Sequence, residues 1–107
     1  MSSIPEVNEK SKAYLTVSFY DKNGDPDTPL TVKYNVYCLT NGQELRADTS
    51  LTPNETVEIE LTPSDNVIID SNNDIEKRLV TVKANYGTND EVNEEFRYNV
   101  VNLRRVS

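Results

Sequence analysis

Asp21, Asn23 and Asp25 stand at alternate positions. Three oxygen-bearing side chains at that spacing can converge on a hard cation, as they do at the start of a calcium loop. The pattern fails further along, because Pro26 sits where such a loop needs glycine and Val32 where it needs a bidentate glutamate. What remains is an Asx-rich β-turn. The polar stretch Asp70 to Asp74 could cradle an ion weakly, but it reads as solvated loop. Glu58/Glu60 and Glu94/Glu95 supply carboxylate pairs, yet an acidic strand face with no apolar pocket lacks the desolvation that splits pKa values into acid and base roles. Cys38 is the single thiol, and no histidine exists in the chain to activate it. Its inward register makes it an inert buried thiol. No enzyme, metal site or cofactor site is expected from these residues.

The elements that carry them have a period of two. Ala13, Leu15, Val17 and Phe19 alternate with Tyr14, Thr16, Ser18 and Tyr20, the pattern of a half-buried strand, and the turn formers from Asp21 to Asp27 end it. Leu30, Val32, Tyr34, Val36 and Cys38 form the inward set of a longer strand. Asn41-Gly42 then signals a type I′ hairpin turn, with Glu44 to Ala47 as a short returning strand. Val57, Ile59 and Leu61 alternate with Glu58 and Glu60. Thr62-Pro63-Ser64-Asp65 stops that strand, with room for one helical turn. Arg78, Val80, Val82, Ala84 and Tyr86 share one phase, and Gly87 to Asp90 turns the chain into a last strand through Phe96, Tyr98 and Val100. No stretch has a 3.6-residue apolar period.

Six or seven short strands in 107 residues predict one all-β domain, an antiparallel immunoglobulin-like or fibronectin-III-like β-sandwich over residues 13–103. Residues 1–12, polar and interrupted by Pro5, read as a flexible N-terminal arm, and 104–107 as a C-terminal tail. Leu61-Thr62-Pro63 looks like the Leu-x-Pro corner between the sheets of fibronectin-III domains. Val80-Thr81-Val82-Lys83-Ala84 looks like the run that follows it. The Cys-Trp-Cys signature of antibody domains is absent.

Composition narrows the partners. With 18 acidic against 11 basic residues the chain carries −7, which disfavours a nucleic-acid backbone, and Arg104-Arg105 is too small a basic footprint to reverse that. No apolar run approaches a membrane helix, and Met1-Ser2-Ser3-Ile4-Pro5-Glu6 lacks the basic and apolar regions of a signal peptide. A lone cysteine fits synthesis in a reducing cytoplasm.

Tyr14, Tyr20, Tyr37 and Leu39 fall on outward phases of two strands expected to be adjacent. Tyrosine supplies rigid amphipathic contact area and is enriched in interface cores, which makes these four residues a candidate interface. The competing assignment is that they pack on one another across strands, or under the N-terminal arm.

Thr28-Pro29, Glu44 to Thr49, Leu51-Thr52-Pro53, Val57 to Pro63, Arg78 to Val82 and Glu94 to Leu103 together resemble a family of short proteins of tailed bacteriophages, encoded among head and tail genes. The resemblance covers about residues 13–106. It implies a virion structural protein, an Ig-like module for capsid decoration, the head or the tail surface, made in the bacterial cytoplasm and docking on other virion proteins. Symmetric homo-oligomers are common for such parts. A non-structural phage accessory protein binding a host protein or a carbohydrate is the alternative.

Overall fold

The computed structural model describes residues 5–87 and 90–103. Among these the chain is all-β, with seven strands: β1 (Glu6–Asn8), β2 (Ala13–Ser18), β3 (Thr31–Cys38), β4 (Gln43–Leu51), β5 (Thr56–Leu61), β6 (Ile75–Gly87) and β7 (Asp90–Val101). They form a five-stranded sheet ordered β1-β7-β6-β3-β4 and a two-stranded sheet β2-β5. Val17, Ile59 and Leu61 of the smaller sheet share one core with Val32, Val36, Val80, Val82, Tyr98 and Val100 of the larger. Two layers over one core follow from the alternation, because each strand has one apolar face to bury. β5 is the clearest case, with Val57, Ile59 and Leu61 buried and the residues between them exposed.

Several expectations need correction. Residues 6–8, expected within a flexible arm, form β1, which runs parallel to β7 with Val7 opposite Val100. The sheet is therefore mixed, not wholly antiparallel. A three-residue strand with one inward apolar side chain leaves too short a pattern to recognise. The β3–β4 connection is a four-residue loop, Leu39 to Gly42, closed by the Gly42 N–H donating to the Cys38 carbonyl at 2.8 Å. Only Gly42 takes positive φ, at 67°, so the Asn-Gly pair does not make a two-residue type I′ turn. β4 runs on to Leu51, past the expected Ala47, through irregular register opposite Val36. Such bulges bend an edge strand and spoil it as a template. Leu30, expected inward, is 66% exposed, because the inward place goes to Pro29 and the strand begins at Thr31. The tail at 104–107 and the turn residues Thr88 and Asn89 lie outside the described residues.

β6 and β7 pair as the expected hairpin. Cys38 is fully buried, as its register required. The Leu61-Thr62-Pro63 step lies where the chain leaves the smaller sheet for the larger.

Candidate functional site: interaction surfaces and the polar end that frames them

One end of the sandwich is closed by a buried polar network built on the turn after β5. The Asp65 N–H donates to Thr62 Oγ1 at 3.3 Å while the Thr62 N–H donates to Asp65 Oδ2 at 2.8 Å, a reciprocal capping box around a single turn. Arg46 grips the same carboxylate with two bonds, Nε to Oδ1 at 3.1 Å and Nη2 to Oδ2 at 3.0 Å, and so ties β4 to the end of β5. The Asp65 hydrogen bonds hold the Arg46 guanidinium above its ordinary pKa.

Arg78 is fully buried, and its guanidinium is spent on the protein. Nε donates to the Asp65 carbonyl, Nη2 to the Val67 carbonyl, and Nη1 to both Cys38 Sγ and Glu76 Oε1, the last at 3.2 Å. Burial works to raise the pKa of Glu76, also fully buried. The N–H groups of Ile69 and Asp70, the Asn73 amide and Arg78 outweigh it and hold the carboxyl below its ordinary value. Asn66 is the hub on the other side. Its Oδ1 accepts from the Tyr98 hydroxyl at 2.8 Å, its Nδ2 donates to the Ser11 carbonyl, and its own carbonyl accepts from the Lys10 N–H. Burial pushes the Tyr98 hydroxyl well up. Arg78 stands on the inward phase that alternation gave it, but its role and those of Glu76, Asp65 and Asn66 were missed. The available signal was two charged residues, Glu76 and Arg78, continuing the inward phase of Val80, Val82 and Ala84.

The candidate interface residues do not meet. Tyr14, 56% exposed, lies on the outer face of the smaller sheet, and Tyr20, 57% exposed, lies beyond its end in a bridge to Pro26. Tyr37 lies on the outer face of the larger sheet, opposite Leu79, and Leu39 follows that strand. β2 and β3 belong to different sheets because the connection 19–30 crosses between layers, so the four residues fall on two faces rather than one.

Two concave surfaces stand out. A cleft of about 530 Å³ at the loop end is lined by Tyr20, Tyr86 and Val92 with Asp21, Asp27, Asp90 and one cation, Lys22. Burial, then Asp27 and Asp90, raise the Tyr86 hydroxyl there. Asp21 spends Oδ1 on the N–H groups of Asn23 and Asp25, the Asx-turn arrangement expected of that segment. Among the described residues no cluster of carboxylates, cysteines and histidines forms a metal site. The second surface is an apolar groove of about 360 Å³ between the edge of β2 and the β1–β7 edge of the larger sheet, reaching Leu61, Val80 and Tyr98 of the core. No helix among the described residues is long and apolar enough to cross a membrane. No protein-family model, no curated protein and no solved structure matches the chain.

Proposed function

We infer that this chain is an immunoglobulin-like module, with a strand order close to that of fibronectin-III domains, and that it serves as a structural protein of a bacteriophage particle, docking on other virion proteins of the head or tail. The observation that carries the docking role is the open side of the sandwich, where an apolar groove reaches the core beside the open edge of β2. The Ig-like assignment is supported by strand order: β3, β6 and β7 take the C, F, G arrangement, and β2 with β5 take that of B and E. Arg78 adds to it. It sits near the start of the F-equivalent strand and bonds back to carbonyls at 65 and 67, the place and the job of the tyrosine corner. The phage assignment rests on the sequence resemblance. Mass spectrometry and cryo-electron microscopy of purified particles test it: the chain is expected at stoichiometric copy number, and its absence from mature virions sinks the reading.

A second reading, an accessory factor holding a carbohydrate or a basic host surface, draws on the loop-end cleft. Two tyrosines among three aspartates and Lys22 offer stacking faces with acceptors and one donor around them. Binding on a glycan array that Tyr86→Ala abolishes, with no particle association, would favour it.

A further inference from the structure

The smaller sheet has two strands against five, and its β2 edge is bare of charge. From Ala13 to Tyr20 there is no charged residue and no proline. The other edges are blunted in the usual ways: β4 by bulges and by Glu44, Arg46 and Asp48, β5 by Glu58 and Glu60, and the part of β7 before its pairing with β1 by Glu91, Glu94, Glu95 and Arg97.

Strand pairing fixes which backbone groups of β2 are free. The Phe19 N–H donates to the Glu55 carbonyl, on the register that pairs Val17 with Val57 and Leu15 with Ile59. Antiparallel ladders alternate, so 13, 15, 17 and the Phe19 N–H bond towards β5, the Phe19 carbonyl accepting from the Asp27 N–H, while Tyr14, Thr16 and Ser18 point their N–H and C=O groups away. Among the described residues no strand pairs on that side. Three donors and three acceptors line the rim.

Below the rim the core is uncovered. Ile59 and Leu61 of β5 are buried, but Ala13 and Leu15, on the same inward face of β2, are only partly so. Val7 of β1 and Phe96 of β7 are also partly buried, across the groove. The opening has the place and the lining of one more strand in the smaller sheet.

We propose that the β2 edge and this groove receive a single extended segment of a partner polypeptide, about six residues long, which completes the smaller sheet by β-augmentation. Its alternate side chains are apolar and enter the groove between Leu15 and Phe96, and those between them are neutral or basic. A second folded copy does not fit edge to edge. The β1–β7 side of the larger sheet already occupies the layer beneath the groove, where the copy's own larger sheet would have to lie. Charge sets the preference for basic outward residues. Among the described residues Glu58, opposite Thr16 on β5, has no cation partner, whereas Lys12 pairs with Glu60 at 3.3 Å. An added strand would stand two strand spacings, about 10 Å, from Glu58, just past the screening length of about 8 Å at physiological salt, so the preference is modest there and strengthens as salt is lowered. The proposal rests on the docking role given above but not on the identity of the particle.

The test is amide hydrogen exchange by NMR on the full chain, alone and with about 1 mM of an acetylated seven-residue peptide alternating valine with lysine and threonine. In the free chain the amides of Tyr14, Thr16 and Ser18 should exchange fast, and those of Leu15 and Val17 slowly. The peptide should slow the first three by roughly tenfold or more, and at low ionic strength a glutamate-for-lysine peptide should bind several-fold more weakly. Thr16→Pro deletes one rim donor without touching the β2–β5 ladder and should abolish protection. If that variant fails to fold, N-methylating alternate amides of the peptide removes the same bonds from the other partner. No protection by the peptide overturns the proposal. So does protection of the three amides in the free monomer, which would mean the chain covers its own edge, and so does protection that grows with protein concentration, which would assign the edge to a second copy. None of these results bears on whether the chain is found in particles.

Discussion

The polar end and the β2 side of this sandwich treat their hydrogen-bonding groups in opposite ways. At the polar end, charges are taken fully out of water and satisfied. Arg78 and Glu76 are wholly buried, and among the described residues Asn99 Oδ1 is the one buried side-chain polar atom with no partner. At β2, backbone donors and acceptors stand beside apolar surface, and among the described residues no strand pairs with them. A buried group that loses its partner costs the full desolvation, so the first region is committed to holding the sheets together. An exposed edge costs little until something binds, so the second is available for recognition.

The largest expected effect comes from breaking the committed end. Arg78→Met leaves Glu76 buried beside two carbonyls that have lost their donor, and should cost about 3–5 kcal/mol, read as a fall in the urea midpoint. Next, Ile59→Ala and Leu15→Ala separate the covered from the uncovered part of the core. The first should cost about 2–5 kcal/mol and the second about 1 kcal/mol, because Leu15 already sees water. Equal losses would mean that the groove is filled.

Tyr98→Phe removes the donor to Asn66 Oδ1 and should cost about 1–3 kcal/mol. The wild type should also lose stability as pH rises past the ordinary tyrosine value of 10. The folded pKa is raised, so the contribution is complete below that value and is lost above it. The Phe variant should flatten that limb.

Acid acts through Glu76. Its folded pKa lies below the ordinary 4.5, so its contribution is complete above that value and fades as pH falls through the folded pKa. Urea midpoints between pH 7 and pH 2 should drop less steeply in Glu76→Gln, from a lower plateau. Asp48, held low by Asn35 and then Lys83, will keep part of the slope. Smallest of all, Tyr14→Ser on the outer face should change stability by no more than about 0.5 kcal/mol. A larger loss would show that Tyr14 packs structurally.

Local alternation settled a good deal of this molecule. The inward sets of β2, β3, β5, β6 and β7 are legible because a strand puts every second side chain on one face, whatever lies across from it. That pattern placed Cys38 inside and Tyr14 and Tyr20 outside, and it counted the turns. It also put Arg78 inward, where a charge reads as an anomaly until its partners are known. Those partners come from the turn at 62–67, from β3 and from Glu76, and only folding brings them within 3.3 Å of the guanidinium. Strand neighbours were equally out of reach. Succession along the chain puts Tyr14 and Tyr37 on one face, yet the connection between their strands crosses from one sheet to the other. The short β1 was invisible for a related reason, since its parallel bonds to β7 join residues more than ninety positions apart. Alternation is a property of a strand by itself. Which strand lies next to it, and which edge is left open, depends on pairings between distant segments that no local pattern encodes.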